Sequence, residues 1–184
     1  MNSLTFVLQS ALRSTLISLQ RSFDHTYRRI VGVPTLRFSE ITPQLYLGGQ
    51  YSSRGFGILR RRGITAIVSM RTQARKNLPD LGEVRFLHLP TPDLHPPVLS
   101  DLEKGAEFIA QELSRGGKVY VHCHYGEGRG PSMIAAYLMY TGLTFEDALK
   151  QIRSVRGFIG LTQPQVDRLL EFEKEIQERK SPAA

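Results

Sequence analysis

Residues 119–139 contain an apolar run, a glycine-bearing loop and a helix-forming run in direct succession, and this order constrains the fold more than any other segment. The run from Val119 to His122 has the character of a buried strand. Pro131 and the largely apolar residues after it are typical of a helix that begins there. A strand, loop and helix in this order direct backbone N–H groups and the positive end of a helix dipole at one point. That point is predicted to hold a negative charge.

A thiol and a guanidinium occupy the two ends of this loop. A helix N-terminus and neighbouring cations stabilise a thiolate, so Cys123 is predicted to be a nucleophile. Arg129 offers a planar fork of donors that can hold two phosphate oxygens. Gly126 and Gly128 leave room for amides that all point inward. We interpret the segment as a phosphate-binding catalytic loop. The alternative is that Cys123 fills the core and Arg129 lies on the surface.

The segment also carries a family signature. His122 and Cys123, five further residues and Arg129 match the His-Cys-(five)-Arg pattern of the cysteine-dependent phosphatases, and the chain resembles their dual-specificity branch. Residues 41–49 resemble the opening strand pair of those domains, and the resemblance extends over about residues 36–178. Some downstream residues are similar to the mitochondrial-type phosphatases that act on phosphatidylglycerophosphate: Ala148, Ile152, Arg153, Ser154, Phe158, Ile159, Pro164, Gln165, Leu169, Leu170, Glu171 and Phe172.

The resemblance implies a metal-independent hydrolysis of phosphate monoesters through a phosphocysteine on Cys123, with no cofactor. The leaving oxygen needs an acid, and the resemblance assigns that role to Asp93, in a proline-rich loop upstream of the cysteine. Asp93 could instead stabilise a turn. Asp101 is the rival acid, but Ser100 and Glu103 around it have the pattern of a capping box with Ser100 as the N-cap.

The remaining loop residues are assigned to the phosphate site and its support. His122 is expected to face away from the thiol and to support the loop by hydrogen bonding, and Ser132 is a further supporting residue. The carboxylate of Glu127 would repel a second phosphate group unless it pairs with a basic neighbour such as Arg153 or Arg156. The predicted phosphate-binding residues are His124, Tyr125, Gly126, Glu127, Gly128 and Arg129.

One position departs from the family pattern. The residue after the arginine is usually serine or threonine, whose hydroxyl helps the thiolate leave in the second step, but here it is Gly130. We therefore expect the phosphoenzyme to break down slowly relative to its formation. A protein tyrosine or dual-specificity phosphatase is the predicted function, acting on a phosphorylated protein. The alternatives are a phosphatidylglycerophosphate or phosphoinositide phosphatase, a weakly active phosphate-binding module, and a sulfur transferase, which the opening at 41–49 argues against.

The coarse pattern of strands and helices alternates through the middle of the chain. It predicts an α/β fold with a mainly parallel central sheet and helices on both faces. The predicted catalytic domain covers residues 34–180, and Thr162 and Gln165 have the pattern of a second capping box. Strands are expected near 36–41, 45–48, 64–70, 84–89 and 118–122, and helices near 53–62, 101–115, 131–141, 145–155 and 164–179.

Residues 1–33 form an amphipathic extension. No acidic residue occurs before Asp24, and an apolar helical stripe runs through residues 4–23, made of Leu4, Leu8, Leu12, Leu16, Leu19 and Phe23. The stripe fits an interfacial membrane helix, a transit-type segment, or a helix packed on the catalytic domain, but not a transmembrane span.

The net charge and the cysteine content limit the possible partners and the cellular compartment of the protein. The net charge is +7 and no nucleic-acid motif is present, so the charge is interpreted as phosphate-substrate steering or a solvated face, with no nucleic-acid partner. A single cysteine excludes an intrachain disulfide and favours the cytoplasm or another reducing compartment, with membrane association if the helix is interfacial. The basic residues cluster at Arg54, Arg60, Arg61, Arg62, Arg71, Arg75 and Lys76.

Overall fold

A five-stranded sheet forms the centre of the protein in the computed structural model, which describes residues 3–73 and 82–180, with side chains over 7–73 and 82–179. The strand order is β1-β2-β5-β3-β4; the last four are parallel, and β1 is antiparallel to β2. The bounds are β1 Glu40–Thr42, β2 Leu45–Gly48, β3 Ala66–Ser69, β4 Arg85–His88 and β5 Val119–His122.

Helices cover both faces of this sheet, as the sequence predicted. Successive strand residues point to opposite faces, so Val68 and Val121 join the larger core cluster while Ile67 and Tyr120 join the smaller one. Buried residues of α2 line the smaller cluster, and those of α3 to α6 line the larger. The helices are α1 Ser3–Val31, α2 Ser53–Arg61, α3 Leu99–Ser114, α4 Arg129–Tyr140, α5 Phe145–Val155 and α6 Gln163–Lys180.

Two local predictions were wrong. The first predicted strand divides into a 3-10 helix over Leu36–Phe38 and the short β1, because Ser39 N–H closes a turn on the carbonyl of Leu36 at 3.1 Å. The α3 capping box is absent, since the N-cap is Val98 and no side chain caps the helix. The first helical hydrogen bond runs from Leu102 N to the carbonyl of Val98 at 3.1 Å, which places Asp101 in the first turn.

The α1 helix packs on the domain through its polar side. Asp24 is fully buried against the domain, whereas Leu8, Leu12, Leu16, Leu19 and Phe23 are each 56–63% exposed. These five residues fall within about 80° on the helix circumference, and Asp24 lies about 120° from the centre of that arc. The helix therefore docks by a face turned away from the centre of its apolar stripe. No helix within residues 3–73 and 82–180 is long and apolar enough to cross a bilayer.

Candidate active site

The loop from Cys123 to Gly128 joins the central strand β5 to α4 and lies at the carboxyl edge of the parallel strands, where ligands bind in such sheets. Gly126 has φ +73°, and a Cβ there would lie 2.5 Å from the backbone of Gly48. Only glycine fits that approach. The loop in turn directs Gly126 N–H to the Cys123 sulfur at 3.2 Å, so a backbone donor faces the predicted nucleophile.

Arg129 is held beside the loop with one donor left over. Its guanidinium donates to the carbonyl of Thr91 at 2.9 Å and pairs with Asp93 Oδ1 at 2.8 Å. The residue is 5% exposed, and its Nε is buried without a hydrogen-bond partner. A buried, unpaired guanidinium donor is costly unless a ligand accepts from it. The fork is therefore arranged to receive an oxyanion.

Asp93 reaches the site from the loop after β4, as predicted, and its side chain is 68% exposed. The next residue, Leu94, has φ +64°, a conformation that a leucine adopts only when its surroundings hold it there. Hydrogen bonds from the Thr162 hydroxyl to the Leu94 carbonyl and from Gln165 Nε2 to the His95 carbonyl, both 3.0 Å, supply that restraint. The start of α6 thus fixes the loop that carries Asp93.

Gln165 therefore does more than the capping predicted for it. Its Oε1 accepts from Thr162 N–H at 3.1 Å, which is half of a capping box, but the Thr162 hydroxyl bonds the Leu94 carbonyl instead of closing the other half. The side chain is 1% exposed, and a Cβ on Gly128 would lie 2.9 Å from its Oε1. One buried amide touches the catalytic loop and holds the loop of Asp93. The sequence signals for it were the capping pattern and its place in the resemblance to the phosphatidylglycerophosphate phosphatases.

Arg156 supports the catalytic loop from behind, a role that sequence reasoning missed. The residue is fully buried and donates to the carbonyls of Gly126 and Tyr125 at 2.8 and 2.9 Å. It also pairs with Asp24 Oδ2 of α1 at 2.9 Å, and both partners are buried. Carbonyls tied to a cation behind the loop leave its amides pointing forward, which is the arrangement that an anion requires.

The partner predicted for Glu127 was wrong. Glu127 pairs with Arg21 at 2.8 Å, and its Oε1 lies 2.9 Å from His25 Nε2, although the ring N–H is not aligned for a hydrogen bond. Burial lowers the pKa of His25, while the Glu127 carboxylate opposes this shift. Arg156 is unavailable because Asp24 and the loop carbonyls occupy it. The Glu127 charge is thus largely balanced by α1.

His122 and Ser132 occupy supporting positions. His122 is buried beside the ring of Tyr51, and its Nδ1 lies 3.1 Å from the Cys123 carbonyl. The Ser132 hydroxyl donates to the Gly128 carbonyl at 3.0 Å, which is an ordinary bond within a first helical turn. A Cβ on Gly130 would lie 3.8 Å from the Cys123 sulfur. That Cβ would also lie 3.0 Å from Leu47 Cδ1, so position 130 borders both the thiol and the Leu47 side chain, and it carries no hydroxyl.

The two rim residues His124 and Tyr125 lie against cations. Burial lowers the pKa of His124, and Arg28 and Arg71 add to the shift. The guanidinium of Arg28 stands 5.3 Å from the ring centroid of Tyr125. Two of the predicted basic residues, Arg75 and Lys76, lie outside the described residues. Within 3–73 and 82–180, no group of three His, Cys, Asp or Glu side chains is arranged to hold a metal ion.

The family model for the catalytic domain of dual specificity phosphatases matches residues 45–175. The chain belongs to this family. Dual specificity protein phosphatase 26 of Homo sapiens is 35% identical over 126 residues, which is 65% of this chain and 60% of that protein. Dual specificity protein phosphatase 12 of Mus musculus is 37% identical over 120 residues, 64% of this chain and 35% of that protein. The match thus spans at most 60% of the length of these two relatives.

Solved structures agree with the fold. PTPMT1, crystallised in complex with PI(5)P, superimposes with a TM-score of 0.71 at 28% identity over 77% of this chain and 97% of that one. Tk-PTP in its active form superimposes with a TM-score of 0.69 at 28% identity, over 74% of this chain and 95% of that one. Human DUSP28 superimposes with a TM-score of 0.68 at 25% identity, over 77% of this chain and 99% of that one. The predicted family, its similarity to the PTPMT1 type and the fold class are confirmed.

Proposed function

We propose that this chain hydrolyses phosphate monoesters through a phosphocysteine on Cys123. The observation that carries the proposal is the state of Arg129, whose buried Nε lacks a partner while Asp93 occupies its outer edge. A bound phosphate dianion supplies acceptors for that Nε and replaces Asp93 on the guanidinium. Asp93 is then released close to the leaving oxygen, which is where a general acid is needed.

The reaction follows from these positions. The Cys123 thiolate attacks phosphorus opposite the leaving oxygen, so the S–P bond forms as the P–O bond breaks, while Arg129 and the loop amides hold the other three oxygens. Protonated Asp93 gives its proton to the departing oxygen. A water molecule then attacks the phosphocysteine, its proton passes to Asp93, and the thiolate leaves with inorganic phosphate as the product. Gly130 offers that thiolate no hydroxyl.

The first proposed substrate class is a phosphorylated tyrosine, serine or threonine side chain of a protein. The family match and the names of the curated relatives support it. The reactive thiol supports a reducing compartment, with the cytoplasm as the first choice.

A phospholipid phosphatase is the second candidate, and the outward stripe of α1 favours it. Arg13 and Arg29 add positive charge to α1, and its buried Asp24 is already paired. An exposed apolar stripe on a basic helix fits an anionic membrane surface. The similarity to PTPMT1, crystallised with PI(5)P, points the same way. We therefore propose peripheral membrane contact through residues 4–23 and onward to Ile30.

Hydrolysis of p-nitrophenyl phosphate in the presence of a chelator tests the proposal. Wild type should be active, Cys123→Ser inactive, and Arg129→Ala and Asp93→Asn slower by about 100-fold or more. Asp101→Asn is the matched control for the acid and should match wild type. An active Cys123→Ser enzyme would refute the mechanism. Phosphotyrosine peptide and phosphatidylglycerophosphate, compared next, decide between the two substrate classes.

A further inference from the structure

A cavity of about 410 Å³ lies beside the catalytic loop. Its wall includes Gln50 and Ser52, which follow β2, and His124 and Tyr125 from the loop itself. Since β2 and β4 lie on opposite sides of β5, the cavity and Asp93 flank the catalytic loop from opposite sides. A substrate held in the loop can therefore reach both at once.

The cavity wall is cationic. Arg28, Arg29 and Arg54 line it, and no carboxylate does so among the residues that the structure describes. Arg28 is fixed by a hydrogen bond to the His124 carbonyl at 3.0 Å, yet its Nε is buried without a partner. This is the same feature that marks Arg129 in the catalytic loop. Charge and an unused buried donor both indicate an oxyanion as the occupant.

The apolar stripe of α1 ends at the same cavity. Ile30 continues the stripe, is 71% exposed and lines the cavity wall. The Glu127 carboxylate, which would repel a second phosphate, is balanced by Arg21. An anion that enters the cavity therefore meets arginines on one side and an exposed apolar helix face on the other.

We propose that this cavity binds the phosphodiester of a phospholipid whose headgroup phosphomonoester occupies the catalytic loop. A glycerophospholipid whose headgroup alcohol is itself phosphorylated carries both groups, since a phosphodiester joins that headgroup to the acylated glycerol. The stripe that ends at Ile30 places the acyl chains on the outer side. The inference rests on the hydrolase activity proposed above and favours its lipid branch. A peptide with two phosphate groups is the competing source of the same chemistry.

A matched pair of substrates tests this. Glycerol 3-phosphate and a short-chain phosphatidylglycerophosphate, used below its micelle concentration, share the scissile group, but only the second has a diester. Arg54→Gln and Arg29→Gln should each lower kcat/KM for the lipid by about fivefold, mainly through KM, because each removes one exposed charge contact. Neither should change the rate with glycerol 3-phosphate or p-nitrophenyl phosphate. Arg60→Gln, the same change elsewhere on α2, is the control.

Equal losses on both substrates, no loss on the lipid, or a loss confined to a doubly phosphorylated peptide would overturn the proposal. An inactive wild type would refute the hydrolase but still leave the cavity testable. In that case, calorimetry compares the same lipid with Cys123→Ser and with the double variant that also carries Arg54→Gln. A Kd about fivefold weaker in the double variant supports the phosphodiester site, and an equal Kd refutes it.

Discussion

Replacing Asp24 tests whether α1 is a working part of the catalytic loop. Asp24 and Arg156 form a buried ion pair, and Arg156 in turn holds the carbonyls of Gly126 and Tyr125. Asp24 Oδ1 also accepts from Thr35 N–H at 3.0 Å. Asp24→Ala leaves a buried guanidinium without its counter-charge and a backbone donor without its acceptor. Both the stability of the fold and the shape of the loop should suffer.

The size of the effect follows from burial. Removing one partner of a buried ion pair costs about 3–5 kcal/mol, because the remaining charge stays desolvated. In a chain of this length each kcal/mol corresponds to roughly 2–4 °C, so a loss of about 3 kcal/mol lowers Tm by roughly 6–12 °C. A small displacement of the loop amides should lower kcat by about tenfold or more. Asp24→Asn keeps the volume but removes the charge, and it should show most of the effect.

Urea unfolding and p-nitrophenyl phosphate turnover measure the two effects. The midpoint should fall at an unchanged slope. The control is Arg21→Ala, which removes an ion pair from the same helix. Its side chain is 55% exposed, so it should cost about 0–1 kcal/mol. If Asp24→Ala loses less than about 1 kcal/mol and keeps the wild-type kcat, the charge of Arg156 is balanced without α1, and the reasoning fails.

Three further predictions concern other positions. Gly130→Ser should speed phosphoenzyme breakdown and shrink the burst in rapid-quench kinetics, and a burst equal to that of Gly130→Ala would contradict the missing-hydroxyl argument. His124 has a folded-state pKa below its ordinary value of 6.5, so the unfolded chain binds more protons and the free energy of unfolding should fall as pH drops below about 6.5. In His124→Gln the urea midpoint should therefore fall less between pH 7 and pH 5 than in wild type. A decline equal to that of wild type would contradict this role of His124. Gly105→Ala puts a Cβ 2.3 Å from Met133 Sδ and should lower the free energy of unfolding by about 1–3 kcal/mol. Gly57→Ala meets nothing closer than 3.6 Å and should raise it by roughly 0.5–1 kcal/mol. Equal changes in the two variants on urea denaturation would contradict the packing.

Local sequence was sufficient for the catalytic loop and most of the regular structure. The strand before Cys123 and the helix after Gly128 lie where their patterns predicted, because short apolar runs and turn residues encode such elements locally. Asp93 also lies beside Arg129, as the resemblance implied. The errors at Leu36–Phe38 and Ser100 are element ends, where main-chain bonds and packing outweigh the preference of one side chain.

Partners distant in sequence could not be assigned in the same way. Arg156 and Asp24 are separated by 132 positions, and Glu127 and Arg21 by 106. Several arginines and carboxylates could have paired with equal chemical justification, and only the docking of α1 on the loop selects among them. The same docking explains why the apolar stripe faces outward, since the buried Asp24 fixes the rotation of the helix.

The sequence by itself determined the family, the α/β fold and the pairing of a thiol with a guanidinium around one anion site, because these features reside in contiguous residues and their chemistry. Tertiary structure decided which face of α1 meets solvent, which charges balance Glu127 and Arg156, and that a second cationic cavity opens beside the first. The physical reason is the distance along the chain over which each interaction acts. Backbone preference acts over a few residues, whereas desolvation of a charge depends on every segment that packs around it.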